Sequence, residues 1–209
     1  ASLLPQRPEA KVYSTTAGNR ATISLKDGSQ IELNTETTLR LATERNRSTV
    51  WLDEGEAYFS IRHNKSRPFT VVVGGHHILD LGTKFFVRRQ GTAVRVALMD
   101  GSIRFDPDRG GTGSATLKPG DVLIADANKV RVTREPITRL SNEISWRNDL
   151  VVFEHTTLAE AVAELNRYGR KKLVVADPEI GARKISGAFP ASDSELFARA
   201  ARSALDLKF

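Results

Sequence analysis

The sequence predicts a mainly β chain, rich in hairpins and sandwich- or solenoid-like, that ends in a small α+β module of order βαββαβ. Three observations carry this. Leu-x-x-Gly occurs four times in the first two-thirds of the chain, at Leu25–Gly28, Leu52–Gly55, Leu98–Gly101 and Leu117–Gly120. Two copies continue as Asp-Gly-Ser, and Asp-Gly between alternating apolar residues is a strong hairpin signal, because glycine takes the positive φ of a tight turn. Gly28, Gly55, Gly101 and Gly120 are therefore read as structural turns. The second observation is period-two alternation, as in Thr22-Ile23-Ser24-Leu25 and Gln30-Ile31-Glu32-Leu33, which buries one face of a strand and shows the other to water. The third is a change to helical spacing after Pro136.

Residues 1–11 carry Pro5 and Pro8 without periodicity and read as a linker. Residues 12–135 form the all-β domain, with strands expected at 21–25, 30–33, 48–52, 56–62, 69–73, 76–81, 84–89, 93–99, 102–105, 122–125 and 129–132. The run Gly110–Ser114 reads as a loop, since no helix start follows that would make it a phosphate cradle. Residues 136–149 form a polar connector ending near Trp146. In the module, residues 150–209, Leu150–Phe153 reads as a strand. Thr157-Leu158-Ala159-Glu160 is a capping box, and Leu158, Ala161, Val162 and Leu165 follow the i, i+3, i+4, i+7 spacing of an amphipathic helix. Strands are expected at Lys172–Ala176 and Ile185–Phe189. A second helix opens at Ser192–Glu195, and a last strand is expected at Leu207–Phe209.

The 209 residues are 40% hydrophobic and 27% charged, an ordinary globular balance that is too apolar for disorder. No run approaches the roughly 18 apolar residues of a membrane span. The absence of cysteine removes disulfides, thiol catalysis and thiolate metal sites together. An excess of 31 Lys and Arg over 25 Asp and Glu gives +6, but the basic residues are scattered and no nucleic-acid motif accompanies them, so no nucleic-acid partner is expected.

Motifs for chemistry are sparse. His63, His76, His77 and His155 do not form a ligand pattern, and His76 and His77, adjacent on a strand, point to opposite faces. No metal and no cofactor are expected. Asp53, Glu54 and Glu56 are neighbours at a turn rather than carboxylates placed across a cleft. No nucleophile elbow, phosphate loop or dinucleotide fingerprint is present, so the protein reads as a non-enzyme. Trp51, inside an apolar strand, reads as core. Trp146 stands where an aromatic side chain either seals a contact between the two regions or meets a partner. Partner binding is expected at Trp146, at Arg167, Lys171 and Lys172, and on the two strands through Leu173, Val174, Val175, Ile185, Gly187 and Phe189, where edge amides lie beside positive charge.

Several ordered motifs resemble the FecR-type anti-sigma regulators of Gram-negative bacteria: Leu25-Lys26-Asp27-Gly28-Ser29 with Leu33-Asn34, Gly55-Glu56-Ala57-Tyr58-Phe59, Arg67-Pro68-Phe69, Leu81-Gly82-Thr83-Lys84-Phe85 and Leu117-Lys118-Pro119-Gly120. Trp146-Arg147, Phe153, Leu158–Val162, Leu165–Tyr168, Ala176-Asp177-Pro178 and Ser186–Phe189 resemble the region that follows the FecR domain and a secretin and TonB short N-terminal (STN) domain. Around Asn148-Asp149 the chain departs from the pattern, which has a glycine there. The resemblance implies the periplasmic region of a single-pass inner-membrane protein in cell-surface signalling and transcription regulation. It would bind the N-terminal signalling domain of a TonB-dependent outer-membrane receptor and relay iron-siderophore or haem availability to a sigma factor, reached through a cytoplasmic segment outside this sequence and freed by a periplasmic protease. Some members of that family are cut between the Gly and Thr of the motif matched by Leu81–Phe85, so two readings stand for Gly82-Thr83: self-cleavage, with the Thr83 hydroxyl attacking the preceding carbonyl, or a plain bend entering a strand that Thr83 caps with a hydrogen bond. The alternative reading is a periplasmic carbohydrate-binding or carbohydrate-modifying β protein, against which the 7% aromatic content argues.

Overall fold

A computed structural model describes residues 9–64, 66–80, 82–107, 113–126 and 129–205. Over the described residues the chain is mainly β, with 48% strand and 18% helix. The strands are β1 (Lys11–Ser14), β2 (Ala21–Ser24), β3 (Gln30–Leu33), β4 (Thr38–Thr43), β5 (Ser48–Ser60), β6 (Phe69–Val73), β7 (His76–Asp80), β8 (Lys84–Gln90), β9 (Ala93–Asp100), β10 (Ile103–Asp106), β11 (Ala115–Leu117), β12 (Asp121–Asp126) and β13 (Lys129–Arg134). All belong to one hydrogen-bonded sheet that curls into two leaves sharing β5.

The back leaf runs β1-β4-β5-β6-β7-β10-β11. The front leaf runs β2-β3-β5-β8-β9-β12-β13. Every pairing is antiparallel except β5 with β6. The first half of β5 pairs with β4 and β6, and its second half with β3 and β8. The changeover is at Gly55, whose φ is +92° and whose missing Cβ would sit 2.6 Å from the Thr37 Cα. Only glycine fits there, because both the backbone angle and the space exclude a side chain. Gly55 thus bends a strand interior instead of making a turn. The two runs expected as separate strands, 48–52 and 56–62, are one. Gly28, Gly101 and Gly120 do sit in turns, with φ of +84°, +89° and +91°.

Between the leaves lies an apolar core of alternate residues, including Ile31, Leu33, Leu39, Val50, Phe59, Val71, Phe85, Val96, Leu98 and Phe105. Trp51 is not in it. It points outward from the back leaf, half-buried, with the Arg40 guanidinium 5.4 Å from its ring. The parity of β5 decides this: Val50 and Leu52 face the core, so Trp51 must face out.

After β13, the expected connector is structured. Its apolar Leu140 and Ile144, one helical turn apart, are buried by α1 (Ile137–Glu143) and the single-turn helix Ser145–Asn148 that follows. The module then runs β14 (Leu150–Thr157), α2 (Leu158–Leu165), α3 (Pro178–Gly181), β15 (Lys184–Pro190) and α4 (Ser194–Ala204). The Thr157–Glu160 capping box starts α2, and the Asp193 side chain caps α4 by accepting from the Leu196 amide. β14 and β15 make a separate two-stranded sheet.

Lys172–Ala176 is not a strand. No neighbouring strand pairs with it; instead Asn166 clamps Leu173 alone, its side-chain amide donating to the Leu173 carbonyl and its oxygen accepting from the Leu173 amide, both at 2.8 Å. The βαββαβ order therefore becomes β-α-α-β-α over the described residues. The expected strand Leu207–Phe209 and most of the Gly110–Ser114 loop lie outside them.

Candidate functional site

The module lies on the outer face of the front leaf. Strand register arranges that face into two rows. One aligns Glu32, Tyr58, Phe86, Ala97 and Val122 across β3, β5, β8, β9 and β12. The other aligns Glu56, Arg88, Arg95, Ile124 and Arg131. The first is largely apolar and packs with Leu140, Ile144, Trp146 and Val151 in a second core. That cover explains why Glu56 to Phe59 is buried on both faces of its strand.

The second row meets the module through charge. Glu56 is 3% exposed. Its carboxylate accepts from the Trp146 indole Nε1 at 2.6 Å, from Asn34 Nδ2 at 3.3 Å and from Arg167 Nη2 at 3.3 Å. Asn34 also donates to the Tyr168 hydroxyl at 2.8 Å. Arg167, just past α2, bonds Glu164, which accepts in turn from Arg88 at 3.1 Å. Residues of the β body, the connector and the module so share one network. Burial pushes the Glu56 carboxyl above its ordinary pKa, with Arg167 and Arg88 pulling the other way. Burial opposes the Arg167 charge, yet Glu164 and Glu56 outweigh it and hold the guanidinium above its usual value. Tyr168 is raised by burial, then by Glu56 and Glu164. Further out, Arg147 pairs with Glu32 at 2.6 Å and lies 3.9 Å over the Tyr58 ring, and Arg95 pairs with Glu143 at 2.6 Å. A cleft of about 320 Å³ remains in the seam, lined by Glu56, Phe86, Arg88, Trp146 and Tyr168 among others.

The partner-binding candidates divide. Trp146 and Arg167 lie inside the seam, and Ile185 is buried in the module. Phe189 packs against Phe153 and Phe197 at ring distances of 6.0 and 5.0 Å. Gly187 sits on β15, opposite Phe153 of β14, with φ +150°. Lys171 pairs with Glu195, and Lys172 donates to the Asn166 carbonyl. Leu173 and Val175 roof an apolar groove of about 310 Å³ between α2 and α4, beside Leu158, Val162 and Phe197. Val174, at its lip, is 85% exposed. Among the described residues β15 pairs only with β14.

Gly82-Thr83 lies at the entry to β8. The Asp80 carboxylate accepts both the Gly82 amide at 3.0 Å and the Thr83 hydroxyl, and the Thr83 carbonyl accepts from the Ile61 amide at 2.9 Å. Thr83 is 3% exposed and Gly82 has φ +91°, with His63 filling the space a side chain would need. An Asp two residues before a positive-φ glycine is a common turn geometry. It also leaves a carboxylate on the hydroxyl. No group of three or more potential ligands for a metal ion occurs among the described residues, and no described helix is long and apolar enough to cross a membrane.

Sequence reasoning missed Asn34, Glu56, Arg88 and Glu164 as members of the seam, and Asp80 as the partner of Thr83. A signal for Glu56 existed: a carboxylate followed at once by Ala57, Tyr58 and Phe59 interrupts an otherwise buried run, and a buried charge needs partners.

Among curated proteins, none matches the chain. Two crystal structures of a Parabacteroides distasonis protein, assigned provisionally as an anti-sigma factor, share its fold at 20% identity. One has a TM-score of 0.71 and covers 95% of this chain and 93% of that one; the other has 0.70, covering 96% and 93%. Residues 11–104, from β1 into β10, match the model of the FecR protein family.

Proposed function

We propose that this chain is the periplasmic signal-receiving region of a FecR-type anti-sigma regulator of a single-pass inner-membrane protein. In this reading the C-terminal module takes the N-terminal signalling domain of a TonB-dependent receptor, and iron-siderophore or haem availability is relayed to a sigma factor through a cytoplasmic segment outside this sequence. The observation that supports it is an apolar groove, lipped by exposed Val174 and beside a β15 edge that no described strand meets, on a module that a charged network holds to the β body in which residues 11–104 match the FecR family model. Edge amides give a protein partner affinity, and adjoining pockets give specificity. A partner that reorients the module would act on Arg167 and Tyr168, and so on Glu56 in the central strand. Titration of the chain with receptor signalling domains tests this. Binding to one of them, weakened about ten-fold or more by Val174→Asp, is expected; equal binding by the variant, or none at all, overturns it.

The Asp80 contact favours a second activity of the same chain, self-cleavage at Gly82-Thr83. Asp80 would take the proton as Thr83 Oγ1 attacks the Gly82 carbonyl carbon. The C–N bond breaks, the nitrogen takes a proton to become the Thr83 amine, and water opens the resulting ester. Intact-mass spectrometry of purified protein should show two fragments meeting at Gly82 and Thr83, absent from Thr83→Ala and slowed in Asp80→Asn. A single intact mass after prolonged incubation would leave Thr83 as a turn residue only.

A further inference from the structure

We propose that the outer edge of β13 is a docking site for an extended acidic segment of another protein, joined as an added strand. β13 ends the front leaf and, among the described residues, pairs only with β12, over all of Lys129–Arg134. The Glu135 amide donates to the Gly120 carbonyl at 2.8 Å, which fixes the phase of the ladder. In an antiparallel pair the bonded residues alternate. Lys129, Arg131 and Thr133 therefore turn their amides and carbonyls to β12, while Val130, Val132 and Arg134 turn theirs outward, where no described strand meets them. An unpaired row of this kind is a template for another strand.

Side chains narrow the choice of strand. Val132 is 46% exposed although its cross-strand neighbour Leu123 is fully buried, so an added strand would cover apolar surface that the leaf leaves open. Lys129 and Arg131 are exposed, and neither has an ion-pair partner among the described residues. Arg134 reaches Asp121 at 3.8 Å. β13 itself carries three cations and no carboxylate. A second copy of the chain pairing β13 with β13 would set these cations against one another, which is unfavourable. An extended segment alternating carboxylates with apolar residues meets both requirements. This edge is remote in sequence from the β15 edge invoked above, and its occupant need not be a receptor domain.

Two blocked, fluorescein-labelled octapeptides serve as probes, one alternating Glu with Val and one alternating Lys with Val. Fluorescence anisotropy with the full chain should show saturable binding of the Glu-Val peptide only, weakened about ten-fold or more by the double variant Lys129→Glu, Arg131→Glu. Val132→Pro removes an outward amide at an edge position that tolerates proline. It should abolish binding while the unfolding midpoint stays near that of the parent. Amide exchange at Val130 and Val132 should slow at least five-fold when the peptide is bound. Absence of Glu-Val binding would mean that the cations only guard the edge. Binding that survives Val132→Pro, or that leaves Val130 and Val132 exchange unchanged, would mean charge adhesion without strand pairing. Either result overturns the proposal.

Discussion

The two outer faces of the β body differ in what their side chains demand. On the front leaf, Tyr58, Phe86, Ala97 and Val122 form a row that water would solvate poorly, and the module covers it. On the back leaf, register aligns Arg40, Trp51, Val72 and His77, flanked by Thr49 and Thr70. Here the cover is supplied from within. Arg40 lies over Trp51 and makes two 2.7 Å bonds to Asp53, so the one large aromatic ring is shielded by a side chain whose charge stays wet. A face with an aliphatic and aromatic row requires another element; a face of threonine, arginine and a single shielded ring does not.

The sharpest test compares Phe86→Ala with Trp51→Ala by denaturant unfolding. Phe86→Ala is expected to cost about 3–5 kcal/mol, because it opens a cavity under the module. Trp51→Ala should cost under about 2 kcal/mol, since its site can collapse and rehydrate. Equal losses would break the distinction between the faces. Next in size is Glu56→Ala, at about 3 kcal/mol, because Arg167 and the Trp146 indole lose the carboxylate they share in a dry seam. A loss below about 1 kcal/mol would show that the seam is wetter than its burial indicates.

The same carboxylate gives a pH signature. Burial raises the Glu56 pKa in the folded state, so its contribution is fully present below the ordinary carboxylate value of about 4.3 and is lost as pH rises through the elevated folded value. Stability of the parent chain relative to Glu56→Gln should therefore fall from acid toward neutral pH. A flat or opposite trend in paired unfolding curves would mean that Arg167 and Arg88, not burial, dominate. The smallest effect is expected from Arg40→Ala on the back face, under about 1 kcal/mol, because its pair with Asp53 is solvent-exposed. A larger loss would make that face a structural seam as well.

Much of this architecture was legible in the chain. Alternation located most of the strands because each leaf buries one face, though not β1, β4 or β11, and Thr157–Glu160 announced α2 through local chemistry alone. What failed was tertiary. Trp51 is apolar by type but outward by parity, and parity can be read only once Val50 and Leu52 are known to face the core. The Lys172–Ala176 run has strand propensity but no strand partner among the described residues, because the Asn166 side chain takes both the amide and the carbonyl of Leu173. Ile137–Asn148 reads as polar connector until the front face needs Leu140 and Ile144. Two partners of Glu56 come from far along the chain, Arg167 at 111 residues and Trp146 at 90, which no local pattern links.

β5 has one more implication. Because a single 13-residue strand is central to both leaves, neither leaf can open without losing its middle, and the hydrogen bond from Ile61 to Thr83 extends that dependence into β8. Local opening that spares one leaf is thus disfavoured, and the amides of Val50 and Phe59, in opposite leaves, should exchange with solvent deuterium at one rate set by global unfolding. A pull on either end of the β body would meet a single mechanical unit, so a chain cut within β5 would forfeit both leaves at once.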